Sequence, residues 1–598
     1  MVKPLAQRRR VGAPLEGHDP MYDPKKPLIV QSDHSVLLEA DHPAFDAARD
    51  LLSRFGELVA SPEHVHTYRI TRLSLWNAAE SGLRPEEILD GLARHSKFPV
   101  PENVQFEIRD AMERYGRLLL TRDSAGRLAL RAASPELLSQ VRGHARIASL
   151  LGELLDAVSC TVPEGNRGQL KQQLLRIGHP VRDLAGHVAG APLKVSLRET
   201  TLAGERLSLR PYQLASVEAF WSKGRADGGS GVVVLPCGAG KTLVGISALA
   251  QAQAQTLILC TSTLAVRQWI AEILDKTDLS PEDVGEYSGS RKEVRPVTVA
   301  TYHIVSRQDR RHFPLFSAQD WGLIVYDEVH LLPAPVFRIT AELQARRRLG
   351  LTATLLREDG REGDVFSLIG PKKFDAPWKE LENQGWIAAA HCTEVRVPMD
   401  GATQERYAAA DEREQFRVAA ENPAKAQAVQ EIVEEHLATG DRILVIGRYL
   451  AQLKELSQAL SAPLVTGETP QPQRERLFGA FRTGEHRLLV VSNVANFSLD
   501  LPEASVAIEV SGTFGSRQEE AQRLGRLLRP KADGRAAHFY ALVSSGSQEQ
   551  QFATLRQRFL TEQGYRYRIA AHTPQAAGVV DLASERRRRL QDEEAGNA

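Results

Sequence analysis

Residues 232–242 read VVVLPCGAGKT, an apolar run that passes through a short glycine-bearing loop to Lys241 and Thr242. The apolar residues predict a buried strand, and the LVGISAL that follows predicts a helix. Such a loop between a strand and a helix N-terminus suits a phosphate group, because glycines let backbone N–H groups approach an anion and the helix end adds positive charge. The stretch therefore predicts an α/β fold built around a nucleotide site.

The residue types in this loop match the needs of a bound triphosphate. Lys241 is predicted to reach the β- and γ-phosphates, and the Thr242 hydroxyl to ligate Mg²⁺. The backbone of Gly238, Ala239 and Gly240 would line the phosphates. The eight-residue Walker pattern is incomplete, because position 235 holds Leu where its first Gly would be. Alone, the fragment is also compatible with a chance loop.

A second motif supports the nucleotide interpretation. Residues 322–326, GLIVY, form a buried-strand pattern that ends in Asp327, Glu328, Val329 and His330. An acidic residue at a strand end can hold Mg²⁺, and a neighbouring carboxylate can activate the attacking water. We therefore assign Asp327 to the metal and Glu328 to the water, the alternative being a charged turn.

Two flanking segments carry residues suited to reading the nucleotide. Arg210 and Gln213 lie upstream of the phosphate loop, where a glutamine amide could read the edge of adenine. Thr352 and Thr354 lie downstream and carry small hydroxyl groups suited to relaying the nucleotide state. Both segments extend the predicted site beyond the phosphates.

A second α/β block is predicted to complete the site from the opposite side. The sequence QRLGRLLR begins at Gln522 and places Arg526 and Arg529 three residues apart, on one helical face. Both guanidinium groups could therefore point at the γ-phosphate from a facing domain. Arginine-rich helices are usually solvated, so this segment alone is a weak signal. Its position after the other motifs supports a role at the nucleotide site.

Composition narrows the class of protein. The 598 residues are 42% hydrophobic and include 75 basic and 75 acidic side chains, so any nucleic-acid contact must come from local patches. The four cysteines form no CxxC pair and no zinc or iron–sulfur spacing, which fits a reducing compartment. No stretch has the apolar length needed to span a membrane. We expect a cytoplasmic protein, associated with the nucleoid if it is bacterial.

Regular alternation of strands and helices from Leu209 onward predicts two parallel-sheet lobes that meet near residue 375. Three helical stretches and a hairpin further upstream suggest a winged-helix-like module, which would either grip DNA or dock a protein. The predicted organisation is a disordered tail, an α+β N-terminal domain, a small α+β unit, two lobes and a second disordered tail, with bounds 1–27, 28–140, 141–202, 203–375, 376–571 and 572–598.

Longer stretches of the chain resemble the XPB family of DNA helicases. They are SPEHVHTYRITRLSLWNA (61–78), LPCGAGKT (235–242), YDEVH (326–330), LGLTATLLRED (349–359), SLIGPKKFDAPWKELENQGWIA (367–388), SRQEEAQRLGRLLRPK (516–531) and RQRFLTEQGY (556–565). The first of them is similar to the N-terminal region of bacterial members. The resemblance implies an α/β helicase core of two RecA-like lobes.

The resemblance also implies an activity and several sites. It implies a 3′-to-5′ DNA translocase fuelled by Mg-ATP, linked to repair or transcription and acting on single-stranded or forked DNA. Residues 141–202 would correspond to the family's damage-recognition domain, and residues 403–421 to its thumb-like insertion. The further residues carried over are Thr261, Ser262 and Thr301, which either contact the DNA backbone or serve as strand-end caps. The others are the nucleotide-side Asp500 and the RED motif Arg357, Glu358 and Asp359, for which the alternative is a surface turn.

Two departures from the family pattern leave alternatives open. Asn493 stands where a lysine is expected, and the thumb-like segment mixes arginines with acidic residues. A DNA-gripping thumb should be net basic, because DNA affinity comes largely from phosphate neutralisation. The departures leave open a DNA-bound switch ATPase or scaffold with weak unwinding. An RNA helicase is a separate alternative, against which the resemblance to the XPB family argues. Any DNA cutting would require a partner nuclease.

Overall fold

The structure is a computed structural model that describes residues 22–60, 64–225, 228–236, 238–289, 291–305, 319–332, 336, 346–353, 362–376, 378–492, 503–512, 535–562, 565 and 567–572. Most of both predicted tails therefore lies outside the described residues. The chain divides into two compact units, residues 1–115 and 116–598. Within the described ranges, no helix is long and apolar enough to cross a membrane.

The first unit is an antiparallel sheet with four helices. Its elements are β1 (Leu28–Val30), β2 (Ser35–Glu39), α1 (Phe45–Leu52), β3 (Glu57–Ala60), β4 (Val65–Arg69), α2 (Arg72–Glu80), α3 (Pro85–His95) and α4 (Glu102–Arg114). The strand order is β1-β2-β4-β3, and the sheet and helices share one apolar core. The three helical stretches predicted from sequence are confirmed here as α2, α3 and α4.

The hairpin that follows corrects the predicted winged-helix-like module. Its strands β5 (Leu118–Arg122) and β6 (Leu128–Ala132) lie in the second unit, where β6 pairs with β7 (Ser159–Thr161) and β5 pairs with β8 (Val181–Asp183). The compact units divide between residues 115 and 116, not at 140. Strand periodicity predicts that a hairpin exists but not which sheet it joins.

This four-stranded sheet and its helices form a module at the start of the second unit. The helices are α5 (Pro135–Arg142), α6 (Ala145–Ala148) and α7 (Arg167–Arg176). Helix α7 is anchored by a buried ion pair, in which Arg167 Nη2 lies 2.7 Å from Asp183 Oδ1. The module thus has its own apolar core and its own buried charge pair.

Lobe 1 is a seven-stranded parallel sheet with helices on its faces. The strands are β9 (Ser230–Val234), β10 (Thr256–Cys260), β11 (Val284–Tyr287), β12 (Val297–Thr301), β13 (Leu323–Asp327), β14 (Arg347–Thr352) and β15 (Lys372–Asp375). The helices are α8 (Pro211–Trp221), α9 (Lys241–Ala252), α10 (Thr263–Lys276), α11 (Tyr302–Val305) and α12 (Glu362–Leu368). The strand order is β11-β12-β10-β13-β14-β9-β15, so the strands that carry the sequence motifs lie side by side.

Lobe 2 repeats the same architecture. Its strands are β16 (Ala390–Val397), β17 (Ile443–Gly447), β18 (Leu464–Val465), β19 (Leu488–Ser492), β20 (Val506–Glu509), β21 (Ala537–Ser544) and β22 (Tyr567–Ala571), in the order β18-β19-β17-β20-β21-β16-β22. Its helices are α13 (Trp378–Asn383), α14 (Gly401–Ala409), α15 (Glu412–Ala420), α16 (Ala424–Ala438), α17 (Leu450–Ala459), α18 (Gln471–Thr483) and α19 (Gln548–Glu562). The predicted pair of parallel sheets is confirmed. Helices α14 and α15 occupy the segment predicted as thumb-like.

Candidate nucleotide site

The phosphate loop connects β9 to α9, as the sequence predicts. Gly238 and Gly240 have φ angles of +82° and +80°, which favour glycine. A Cβ atom at Gly240 would lie 2.4 Å from Nε2 of Gln213, so a side chain there would require that amide to shift. Leu235, at the position of the missing first glycine, is fully buried and its N–H donates to the carbonyl of Thr352 at 3.0 Å. The leucine that departs from the Walker pattern therefore packs in the core of lobe 1.

Two side chains of α8 hold the loop in place. Gln213 Nε2 and the Tyr212 hydroxyl each donate to the carbonyl of Ala239, both at 2.9 Å. Gln213 Oε1 accepts from the Arg210 backbone N–H at 2.9 Å, and Gln213 is buried. The structure thus places the predicted adenine-reading glutamine against the phosphate loop. The contribution of Tyr212 was missed, although its position one residue before the glutamine was a usable signal.

Arg210 connects this region to the segment that leads into lobe 2. Its guanidinium carbon lies 5.0 Å from the centre of the Trp386 ring, and its Nη1 donates to the Trp386 carbonyl at 3.3 Å. Nη1 also donates to the Tyr212 hydroxyl at 3.1 Å. Arg210 therefore bridges helix α8 and Trp386, which lies between α13 and β16.

The Asp327–Glu328 motif meets the phosphate loop at the carboxyl edge of the sheet. Lys241 Nζ lies 3.6 Å from Glu328 Oε1, and both side chains are mostly buried. Glu328 has a φ of +48°, in the left-handed region that is uncommon for non-glycine residues. The Asp327 carboxylate accepts a hydrogen bond from Trp269 Nε1 at 2.9 Å. The two predicted motifs are thus brought together.

The environment pushes the pKa values of the two neighbouring carboxyls apart. Burial, together with the charge of Glu328, raises the pKa of Asp327 to about 6. Burial also opposes ionisation of Glu328, but Lys241 and His330 outweigh it and lower the pKa of Glu328 below its usual value. Glu328 is consequently ionised at neutral pH, whereas the charge of Asp327 needs a compensating cation.

The donor set fits Mg²⁺, which prefers carboxylate and hydroxyl oxygens. Asp327 carries a carboxylate that burial disfavours, and Thr242 carries a hydroxyl in the first turn of α9. Glu328 Oε2 is buried and has no hydrogen-bond partner among the described residues. A divalent cation near these oxygens would stabilise the Asp327 charge and give Glu328 Oε2 a partner.

His330 and Thr352 extend the site behind the carboxylates. The Thr352 hydroxyl and His330 Nδ1 share a hydrogen bond of 2.6 Å, and the same ring nitrogen lies 3.5 Å from Glu328 Oε2. Both residues are buried, Thr352 completely. Thr352 therefore contacts the acidic motif from the end of β14.

The predicted DNA-contacting hydroxyls divide into two groups. Thr261 and Ser262 are exposed at the end of β10, and Ser262 Oγ accepts the Ala265 N–H at 3.2 Å as the cap of α10. Thr301 is only 6% exposed, so the structure does not provide the predicted surface contact by its hydroxyl. Thr301 is buried because it ends β12, a strand whose residues are all buried. Next to it, the hydroxyl of Tyr302 donates to the Asp327 carbonyl at 2.8 Å.

Eight further residues with predicted roles lie outside the described residues, so their roles stay predictions. They are Thr354, Arg357, Glu358, Asp359, Asp500, Gln522, Arg526 and Arg529. Trp269 and Trp378 are buried in the core, at 2% and 1% exposed.

Together the fold and the site define a class. Two seven-stranded parallel sheets, with a phosphate loop and an acidic strand end in the first, are the features of a two-lobed helicase-core ATPase.

Comparisons with known proteins narrow the class. A family described as ERCC3/RAD25/XPB C-terminal helicase matches residues 381–593, and one described as type III restriction enzyme, res subunit, matches residues 206–357. A helicase conserved C-terminal domain family matches residues 28–156, which precede both lobes in this chain.

Curated relatives extend the match over most of the chain. Proteins named DNA 3′-5′ helicase XPB are 53% identical in Kineococcus radiotolerans, over 93% of this chain and 98% of the relative, and 54% identical in Mycobacterium tuberculosis, over 91% and 97%. A Saccharomyces cerevisiae protein, named general transcription and DNA repair factor IIH helicase/translocase subunit XPB/SSL2, is 33% identical over 95% of this chain and 75% of the relative. The chain belongs to the XPB family of helicases.

Proposed function

We propose that this chain is an ATP-driven 3′-to-5′ DNA helicase or translocase of the DExH subtype, acting in DNA repair or in DNA opening linked to transcription. The observation that carries the proposal is the convergence of Lys241, Asp327 and Glu328 at one edge of the lobe 1 sheet. The names of the bacterial relatives supply the substrate and polarity, and the sequence Asp-Glu-Val-His supplies the subtype. We place the protein in the cytoplasm, with the DNA on which it acts.

The chemistry follows from the states of these side chains. Thr242 and Asp327 would hold Mg²⁺, which when bound supplies positive charge to the phosphate oxygens of ATP. The Lys241 ammonium balances the remaining negative charge on the β- and γ-phosphates. Glu328, ionised at neutral pH, orients the attacking water and accepts its proton as the bond to the γ-phosphorus forms and ADP leaves.

Lobe 2 is proposed to complete the reaction centre. Gln522, Arg526 and Arg529 would reach the γ-phosphate from the facing lobe, where positive charge matters most in the transition state. The Asp500 carboxylate would lie on the nucleotide side of the same lobe. Closure on ATP and opening after hydrolysis would then shift the lobes relative to one another along DNA.

DNA contacts are proposed at the strand end that follows β10. Thr261 and Ser262 expose their hydroxyls there, and Ser262 Oγ can still donate to a phosphate while it accepts the Ala265 N–H. Thr354 and the triplet at 357–359 would couple the nucleotide site to DNA opening.

The thumb-like helices favour a motor whose unwinding depends on a partner. The segment that contains α14 and α15 has at least as many acidic as basic residues. The basic residues are Arg406, Arg413 and Arg417, and the acidic ones include Glu405, Asp411, Glu412 and Glu414. Arg417 Nε is also held by Glu421 Oε2 at 2.8 Å. Few charges remain for DNA phosphates. Because the yeast relative is named as a subunit of a repair and transcription factor, we propose a partner of that kind, or a nuclease.

The test is ATP hydrolysis by the full chain with single-stranded DNA, duplex DNA and RNA as separate stimulants, with strand separation on forks that carry a 3′ or a 5′ overhang. We expect DNA to stimulate more than RNA, and the 3′ overhang to be the productive one. Equal stimulation by RNA would favour an RNA helicase. Hydrolysis without strand separation, even with a partner present, would favour a switch ATPase.

A further inference from the structure

We infer that Trp269 is a positioning residue for the magnesium-binding carboxylate of Asp327, acting through its indole N–H. The inference rests on the proposed function, because it assigns a residue that shapes the same site. Nothing in the motif sequence points to this tryptophan, which lies 58 residues from Asp327 in the chain.

The contact between the indole and the carboxylate is direct. Trp269 Nε1 donates to Asp327 Oδ2 at 2.9 Å, and the tryptophan is only 2% exposed. The ring also lies against α9, the helix that begins at Lys241. A Cβ atom at Gly245 of that helix would be 2.5 Å from Trp269 Cη2 and 3.1 Å from Cζ3. The glycine therefore leaves the space that the indole needs to reach the carboxylate.

The main chain and the side chain of Asp327 are held by different groups. The Tyr302 hydroxyl donates to the Asp327 carbonyl at 2.8 Å, which fixes the backbone. The indole N–H donates to Oδ2, which fixes the orientation of the carboxylate. Partners that orient a metal-binding carboxylate in this way commonly contribute about 10-fold to 100-fold in metal affinity.

Core packing alone would not require a tryptophan donor at this position. An aromatic ring without an N–H would fill much of the same space among the apolar residues of lobe 1, but it would leave Asp327 Oδ2 without this hydrogen bond. The hydrogen bond and the packing can consequently be separated by substitution.

The experiment compares Trp269→Phe with Trp321→Phe in the full chain. Trp321 is a matched control, because it is 1% exposed and precedes β13, the strand that ends at Asp327. Binding of a fluorescent ATP analogue is measured by anisotropy across a Mg²⁺ titration and in EDTA. We expect Trp269→Phe to raise the half-saturating Mg²⁺ concentration about tenfold and to leave binding in EDTA unchanged. Trp321→Phe should change neither quantity.

Two results would overturn the inference. One is a folded Trp269→Phe protein whose Mg²⁺ dependence stays within about twofold of the wild type. The other is an equal shift in both variants, which would assign the effect to lost packing. If Trp269→Phe does not fold, 3-benzothienylalanine at position 269 keeps the bicyclic shape, replaces the N–H by sulfur, and is judged by the same criterion. A wild-type chain that binds the analogue independently of Mg²⁺ would count against the proposed function itself.

Discussion

Each lobe buries a lysine–glutamate pair, and the two pairs have different geometries. In lobe 2, Lys425 Nζ donates to both carboxylate oxygens of Glu549, at 2.9 and 2.8 Å, and to the Val510 carbonyl at 2.9 Å. In lobe 1, Lys241 Nζ is 3.6 Å from Glu328 Oε1, while Glu328 Oε2 has no hydrogen-bond partner in the described part of the chain. The same two residue types therefore form a closed pair and an open one.

The two pairs differ in how far the fold satisfies their hydrogen bonds. The lobe 2 pair is 1% exposed on both sides, and Glu549 Oε2 also accepts the Ser544 N–H at 2.9 Å, so its hydrogen bonds are satisfied within the fold. The lobe 1 pair keeps acceptor capacity at the edge of the sheet where the phosphate loop lies. A buried ion pair by itself is weak evidence for function, and its unsatisfied oxygen is the informative feature.

Glu328→Gln should have a large effect on turnover and sharpens this comparison. The amide keeps the shape but cannot accept a proton, so we expect turnover to fall by roughly 10²- to 10⁴-fold with ATP binding retained. Glu549→Gln is the matched control, since it makes the same change in the closed pair and should alter stability more than turnover. The measurement is steady-state phosphate release alongside equilibrium ATP binding. Joint loss of affinity and turnover in Glu328→Gln would indicate a structural role instead.

A pH titration tests the open site from another direction. Because burial raises the pKa of Asp327 to about 6, the carboxyl is ionised above that pH and neutral below it. Mg²⁺-dependent nucleotide binding should therefore weaken by roughly tenfold for each pH unit below 6. In Glu328→Gln the midpoint should move to lower pH, because the neighbouring negative charge is gone. A profile flat from pH 5 to 7 would contradict this account.

Tyr212→Phe should have a smaller effect. It removes one hydrogen bond to the Ala239 carbonyl, but Gln213 Nε2 continues to hold the same oxygen. A single neutral hydrogen bond contributes about 1 kcal/mol, so we expect ATP affinity to fall by roughly fivefold with turnover at saturation little changed. An effect as large as that of Glu328→Gln would mean that the hydroxyl itself touches the reacting phosphates.

Features made by residues close together in the sequence could be predicted, and features made by distant residues could not. The phosphate loop and the acidic strand end were predicted, because each is a local pattern of strand, loop and neighbouring residue types. The Trp269 hydrogen bond and the lobe 2 pair were not, because they join residues 58 and 124 positions apart. The sheet partner of the hairpin at 118–132 was missed for the same reason. For Thr301 the local motif was misleading, because it suggested an exposed hydroxyl and the residue is buried at the end of its strand.

We propose that the lobe 1 pair is catalytic and that the lobe 2 pair is structural. The most direct test measures DNA-stimulated phosphate release and thermal unfolding together for Lys241→Ala and Lys425→Ala. Lys241→Ala should lose nearly all turnover, because it removes charge from the phosphates, and should melt closer to the wild type than Lys425→Ala, because the Lys241–Glu328 pair is longer and less buried. Lys425→Ala should melt several degrees lower, since leaving Glu549 uncompensated costs about 3–5 kcal/mol, while turnover below the transition is largely kept. Wild-type turnover in Lys241→Ala, or loss of that turnover only through unfolding, would contradict the claim.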